Sequence, residues 1–417
     1  MISTRHSSAA NLPGSDLLCG AQPVSGAERI VVIDIIRGFA LFGVLWMNLF
    51  ENLGLNMPMD ALDNLPTAQW DRHVGFVSYW LMQGKAQTLF SLLFGFGFAN
   101  IIARLEARGL SQRRIFLRRM AVLMLFGLIN VFCLYIGDIL NAYAAMGFLL
   151  YFTRRWPTRR LLLVALPLSL LGGPLLTLIK ETVWGGTGPW VAAFDEGAVI
   201  RQQLFVQADY PAYVAELWRS FWYEWVGTGP WLVYMGQIMG RFLLGSWLFR
   251  QGWFADVAAH RDLFVRVMRG ALPPGLLLSA IISANLYYDI GPDWTEGVLR
   301  PVAMLLLACG YAAAIVLLHL AGRCTLLFRG LAAVGKMALT NYLMQSVFYL
   351  FVVYGFGLGL MPWLGATLSL ALALVFFAIQ IGFSLWWMAR HRFGPLEWLW
   401  RGLTYGSWPR LLPSSTP

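Results

Sequence analysis

Apolar residues run along this chain in long blocks, cut by polar interruptions at lengths suited to crossing a bilayer. A helix needs about 20 predominantly apolar residues to traverse the hydrocarbon core. Such blocks lie at 33–51, 86–103, 120–137, 139–153, 161–179, 230–249, 267–287, 300–320, 335–354 and 364–388. The pattern predicts an all-α, polytopic transmembrane bundle of about ten transmembrane helices. The fourth block is short and is expected to meet the third in a tight re-entry around Gly137 and Asp138. The same pattern divides the chain into a Ser-, Ala-, Gly- and Pro-rich tail over 1–29, expected to be disordered, and an N-terminal membrane half over 30–179. An external Trp-rich segment over 180–229, a C-terminal membrane half over 230–410 and a short tail over 411–417 complete it.

Composition supports this picture. Of 417 residues, 58% are hydrophobic and only 12% charged, whereas soluble domains carry about 25% charged residues. The net charge of +10 would suit nucleic-acid binding were the charge not placed on alternate loops. Arg104, Arg108, Arg113, Arg114, Arg118 and Arg119 fill one loop, and Arg154, Arg155, Arg159 and Arg160 another. Further basic residues follow around 250–269, around 323–336 and after 389. The intervening loops are acidic, with Glu51, Asp60, Asp63 and Asp71 in one and Glu181, Asp195, Glu196, Asp209, Glu216 and Glu224 in another. Lys/Arg bias sets orientation in membranes, so the expectation is a multi-pass protein of the cell's inner membrane with both termini cytoplasmic and no nucleic-acid partner. In the 180–229 segment, Trp184, Trp190, Trp218, Trp222 and Trp225 interleave with carboxylates; amphipathic stretches on the outer leaflet and an ordinary loop are both open readings. The four cysteines are scattered, without metal-ligand spacing, and no metal is expected.

Signatures of soluble enzymes are missing: there is no HExxH, GxSxG, Walker loop or dinucleotide fingerprint. Candidate chemistry lies instead in polar residues within apolar spans, which are costly in lipid and face the bundle interior. Asp34 and Arg37 open the first span on one helix face and are expected to pair. Asn48 returns to nearly the same face about three turns on. Lys85, Gln87, Asp138 and Asn141 are expected to converge at the external end, where Asp138 and the loop residue His73 are candidate general bases. Arg241, His319 and Lys336 are expected toward the cytoplasmic end, where Arg241 also suits a side chain snorkelling to the interface. Asn341 and Gln345 share a face of the ninth span, and Gly236 and Gly240 permit close helix contact.

Several of these residues sit in longer runs. The run Asp34–Asn48 (DIIRGFALFGVLWMN), Leu89–Phe98 (LFSLLFGFGF), Gly137–Tyr143 (GDILNAY), Gly335–Gln345 (GKMALTNYLMQ) and Gly394–Arg401 (GPLEWLWR) resemble, in order, five motifs of the YeiB family, domain-of-unknown-function family 418. The resemblance covers nearly everything after residue 29. One departure is Asn130, where such proteins usually carry His. The family is in turn distantly similar to membrane acyltransferases, among them acyltransferase family 3 and the heparan-α-glucosaminide N-acetyltransferase group. The former place a His eleven residues after an Arg in their first helix, a spacing that ends here at Asn48. The latter are similar in having Asn there and a His in the following loop, as His73 is.

The resemblance implies an enzyme that moves an acyl group from cytoplasmic acyl-CoA, a co-substrate rather than a bound cofactor, to a small-molecule, lipid or glycan acceptor at the outer face. Arg37 and Lys336 would attract donor phosphates, and the Asn48, Lys85 and Asp138 region would hold the acceptor. The alternative is a transporter or exporter whose pathway the same polar residues line. The topology is testable directly. Reporters fused after Arg160 and at the C-terminus are expected to read cytoplasmic, and one inserted near Asp195 external; an external C-terminus would require an odd number of spans.

Overall fold

The computed structural model describes residues 30–56, 65–183, 189–227, 230–292 and 294–412. The tail over 1–29, Asp60, Asp63 and Trp184 lie outside them. Among the described residues the chain is helical throughout, without strands. Its helices are α1 (Val31–Asn56), α2 (Ala68–Leu81), α3 (Lys85–Ala107), α4 (Gln112–Cys133), α5 (Leu140–Leu150), α6 (Thr158–Leu170), α7 (Gly172–Val183) and α8 (Pro189–Gln207). They continue as α9 (Tyr210–Ser220), α10 (Pro230–Gln251), α11 (Arg261–Tyr288), α12 (Trp294–Leu320), α13 (Thr325–Lys336), α14 (Ala338–Phe348), α15 (Ala366–Met388) and α16 (Pro395–Tyr405).

Among the described residues, seven stretches are long and apolar enough to cross a membrane: Val31–Phe50, Ala68–Ala107, Gln112–Cys133, Thr158–Val183, Arg261–Tyr288, Trp294–Leu320 and Ala366–Met388. Leu140–Thr153 and Ala338–Val353 are shorter apolar helices. The remaining expected span coincides with α10, which Gln237 and Arg241 make too polar to stand in lipid alone. It is enclosed by protein instead: Ile238, Phe242 and Leu243 are fully buried, and α10 packs between α3 and α6.

Close backbone approach holds this bundle together. Lipid tails are as apolar as leucine, so membrane helices associate by van der Waals fit and hydrogen bonds, and small residues admit the fit. The antiparallel pair α1 and α13 crosses at reciprocal glycines. A Cβ on Gly38 would fall 2.0 Å from the Leu331 carbonyl oxygen, and one on Gly335 2.0 Å from that of Asp34. The pair α3 and α10 repeats the device: Gly95 meets the Phe242 carbonyl and Gly245 the Leu92 carbonyl, each also at 2.0 Å, and the Ser246 hydroxyl donates to the Gly95 carbonyl at 3.1 Å. Of the glycines expected to bring α10 close to a neighbour, Gly240 does so against Ser169 and Ala165, while Gly236 faces open space.

Two segments depart from the sequence reading. The loop expected around 323–336 is helix α13, because Leu331, Ala332, Ala333 and Val334 bury against the bundle. The ninth span is therefore interrupted at Met337, between α13 and α14. The Asn341 amide bridges that break, donating to the carbonyls of Val334 (3.3 Å) and Met337 (3.0 Å) and to Ser384 Oγ (3.0 Å); such freed carbonyls need partners inside the protein. The 180–229 segment, within its described residues, is more than a loop. Helices α8 and α9 close on a buried cluster in which Arg201 meets Glu224 at 2.6 Å and Glu216 at 3.9 Å, and Arg219 grips Glu216 with two bonds of 2.8 and 2.9 Å. Phe205 stacks on Tyr354 at 4.3 Å, and the Tyr210 and Tyr213 hydroxyls donate to the carbonyls of Cys133 and Leu134, seating the pair on the bundle.

The glycine crossing yields a stability test. Gly38→Ala and Gly335→Ala are each expected to lower unfolding stability in detergent by about 1–3 kcal/mol, the usual cost of overpacking. Gly236→Ala, with nothing within 4 Å of its new methyl, is expected to be neutral or slightly stabilising, as alanine in a helix is.

Candidate functional site

A cavity of about 290 Å³ opens among α1, α3, α4, α13, α14 and α16. At one end Arg37, Arg104, Arg119, Lys336 and Arg401 line it; its walls are apolar, with Leu93, Phe94, Phe116, Met120 and Leu123; and it closes against Leu140, Tyr143 and Tyr342. Each cation is placed by its neighbours. The Arg37 guanidinium donates to Asp34 Oδ1 at 2.9 Å and to the Gly335 carbonyl at 3.2 Å, so the expected i,i+3 pair forms and also ties α1 to α13. Arg119 lies 3.6 Å over the Trp400 ring, and Arg401 4.5 Å over Phe393. Lys336 is carried in by the last turn of α13.

Besides Asp34, Glu397 faces this basic rim from α16, and its charge is directed elsewhere. Its carboxylate accepts from the backbone N–H groups of Leu339 (2.7 Å) and Thr340 (3.1 Å) and from the Thr340 hydroxyl (2.6 Å), capping the start of α14 where a helix offers free donors. Burial pushes the Glu397 carboxyl above its ordinary value, against these hydrogen bonds. Sequence reading missed this role; the signal was a carboxylate within the run Gly394–Arg401.

At the closed end the cavity meets a polar cluster through Tyr342. Asp138 is buried there and accepts from Asn130 Nδ2 at 2.7 Å, from the Asn141 backbone N–H at 2.9 Å and from Asn141 Nδ2 at 2.9 Å. Tyr342 donates its hydroxyl to Asp138 Oδ1 at 3.3 Å and accepts the Ile139 N–H at 3.1 Å. Asp138 itself does not line the cavity; Tyr342 stands between them. Asn130, the position where the resemblance expects His, is thus the partner of Asp138.

A second cavity, about 420 Å³, lies at the other end of α3, lined among others by Gln87, Glu181, Gln237, Arg241, Glu296 and Arg300. One layer of side chains divides the two. Phe94 stacks on Phe242 at 4.4 Å, and Tyr143 meets Phe242 edge-on at 5.0 Å. The Tyr143 hydroxyl lies 2.6 Å from Ser91 Oγ and donates to the Gln87 carbonyl at 3.3 Å.

The remaining candidates are dispersed. Arg241 lines the second cavity rather than the basic one. Lys85, buried at the start of α3, donates to the Tyr79 carbonyl at 2.8 Å. His73 is exposed on α2, 3.0 Å from the Tyr288 hydroxyl, and with Asn48, half-buried on α1, lines neither cavity. Asn341 is engaged at the Met337 break, and Gln345 donates to the Leu41 carbonyl and Gln380, each at 3.3 Å. Among the described residues no cluster of three His, Cys, Asp or Glu is arranged to hold a metal ion.

A helical bundle with several membrane-crossing helices and a basic cavity between them defines a polytopic membrane protein. More particularly, the chain belongs to the YeiB family. It is 30% identical over 401 residues to the uncharacterized protein YxaH of Bacillus subtilis (strain 168), which covers 93% of this chain and 97% of that one. It is 29% identical over 408 residues to the uncharacterized protein YeiB of Escherichia coli (strain K12), covering 90% and 96%. An uncharacterized 39.9 kDa protein in the amylase 3′ region of Bacillus acidopullulyticus is 27% identical over 383 residues, covering 92% and 96%. Residues 248–407 match the family model described as protein of unknown function (DUF418). No solved structure matches. Each of the five motif runs supplies residues to the basic cavity: Asp34 and Arg37, Leu93 and Phe94, Leu140 and Tyr143, Lys336 and Tyr342, Glu397 and Arg401.

Asp138 is surrounded by donors, which generates a test. Asp138→Asn turns an amide N–H₂ toward groups that themselves donate, so at least one bond is lost in a buried place. The expected cost is about 1–3 kcal/mol of stability, read by unfolding of the purified protein; unchanged stability would mean that these bonds do not hold the α4–α5 turn.

Proposed function

We propose that this protein is a transmembrane acyltransferase that seats a CoA-linked acyl donor in the basic cavity and passes the acyl group to an acceptor reaching it from the opposite side. The supporting observation is that all five motif runs, distant in sequence, line one cavity with a cationic rim and apolar walls. A guanidinium fork binds phosphate by two charge-assisted hydrogen bonds at once, which suits Arg37, Arg104, Arg119 and Arg401 to donor phosphates, with Lys336 as a point charge. A cavity of this size and lining accommodates a slender acyl-bearing arm and leaves the nucleotide at the rim. The basic end would face the cytoplasm of the inner membrane, as the charge pattern of the loops favours.

In this reading the acceptor oxygen or nitrogen bonds to the thioester carbonyl carbon, the carbon–sulfur bond breaks, and CoA leaves as thiolate. The proton released by the acceptor passes through the Tyr342 hydroxyl to Asp138, and from there to the departing sulfur by way of solvent. Asp138 is held in place for that task by Asn130 and Asn141.

A second reading, transport, is favoured by one specific observation: two cavities from opposite ends of the bundle with a single aromatic layer between them. Thermal-shift or calorimetric titration with CoA and acyl-CoA separates the two. The acyltransferase reading expects both ligands to stabilise the protein, Arg37→Lys to weaken binding by about tenfold through loss of one strong hydrogen bond, and Tyr342→Phe to spare binding while slowing acyl transfer. If neither ligand shifts the wild-type protein at millimolar concentration, the donor site falls and transport becomes the leading reading.

A further inference from the structure

Among the described residues, the buried charges and the half-buried Glu296–Arg300 pair come with partners, with one exception. Arg201 has Glu224 and Glu216, Asp34 has Arg37, Glu296 receives Arg300 at 2.8 Å and the Tyr79 hydroxyl at 2.5 Å, and Lys85 has a backbone carbonyl and the face of Tyr79. Arg241 is 3% exposed, and among the described residues its guanidinium makes a single weak contact, from Nη2 to Met304 Sδ at 3.5 Å. Neither carboxylate of the second cavity, Glu181 or Glu296, forms an ion pair with it.

An arginine is charged at any accessible pH and presents five N–H donors. Burying it without an anion is strongly unfavourable, and proteins avoid doing so. This one borders a cavity of about 420 Å³, where its unused donors meet empty space. Gln87 and Gln237 border the same cavity and supply neutral hydrogen-bonding groups, while the Arg300 charge is already balanced by Glu296. Glu181, the other carboxylate of the cavity, makes no ion pair with Arg241, so among the described residues no anion contacts this guanidinium.

We infer that the second cavity is a binding site for a small polar molecule bearing an oxyanion, carboxylate or phosphate, which Arg241 grips through its guanidinium fork. Gln87 and Gln237 fix the ligand's uncharged polar part. The site stands on the geometry of Arg241 alone; that its occupant is the acyl acceptor rests on the acyl-transfer reading. The cavity ends one side-chain layer from the donor cavity, at Tyr143 and Gln87, as a seat for that second substrate requires.

The test is a thermal-shift titration of the full-length protein with acetate, glucuronate, inorganic phosphate and glycerol phosphate, at constant ionic strength with chloride as the reference. At least one probe is expected to raise the thermal midpoint of the wild type at millimolar concentration, the two carboxylates and two phosphates showing which oxyanion is preferred. Arg241→Met is expected to abolish that shift, lowering apparent affinity at least tenfold, and Arg241→Lys to restore it in part. Because the substitution removes a buried charge that no anion contacts, the ligand-free Arg241→Met protein is expected to melt at or above the wild-type temperature. The inference is overturned if no probe shifts the wild type, if wild type and Arg241→Met respond equally, or if the ligand-free variant unfolds while the Arg241→Lys protein gains nothing from any anion. CoA added in parallel keeps the two claims apart: anion binding without CoA binding leaves this site standing and removes the donor, and the converse removes this site alone.

Discussion

Two helices immersed in lipid gain nothing from hiding apolar surface from each other, so their contact depends on how near their backbones can come. Here the approach of α1 to α13 at Gly38 and Gly335 is the constraint from which the basic cavity follows. It places the Gly335 carbonyl within reach of Arg37, which is then held by Asp34 and that carbonyl together. It also sets where α13 must stop, because α14 leaves at Met337 toward Tyr342 and Asp138. Asn341 and Glu397 resolve the two consequences of that stop, one taking up carbonyls and the other N–H groups. The cavity is what remains between a tightly closed helix pair and the helices α3 and α4 beside it.

Much of this was legible in the sequence, and the reasons for the rest are physical. Apolar blocks report helices in lipid faithfully, since no other open-ended structure satisfies its backbone there. The Asp34–Arg37 pair was legible because three residues on a helix fix its geometry. What the blocks cannot convey is which neighbour a polar side chain meets. Arg241 was expected near the basic end and faces the other cavity, because α10 is surrounded by protein and its arginine is free to turn inward. Tyr342 and Glu397 were overlooked because neither looks costly alone: one is a ring in an apolar run, the other a carboxylate near a chain end. Their roles arise from contacts across 204 and 58 positions of sequence. Helix α13 reads as a loop in the sequence because Arg323, Arg329 and Lys336 interrupt a segment whose buried face, Phe328 and Leu331 to Gly335, is too short to stand out as a span.

The ion-pair cluster of α8 and α9 follows a different rule from the cavities. Arg201 is buried beside two carboxylates, a costly arrangement that holds only with its geometry intact, and it binds the two helices to each other where they pack on the main bundle. The pair rests on the turn that leads into Asp138, through Tyr210 and Tyr213. Order in the polar cluster at the closed end of the basic cavity is thereby linked to a folded element outside the membrane-crossing helices, whichever reaction or passage that cluster serves.

The layer of Phe94, Tyr143 and Phe242 has a consequence in electrical terms. Where water fills both cavities, the insulating thickness of the protein shrinks locally to those rings, and the membrane voltage falls across them instead of across the whole bilayer. A unit charge moved past Tyr143 would then experience nearly the full potential, about 2.3 kcal/mol per 100 mV, within a few ångströms. A neutral acyl group crossing the same layer would experience none of it.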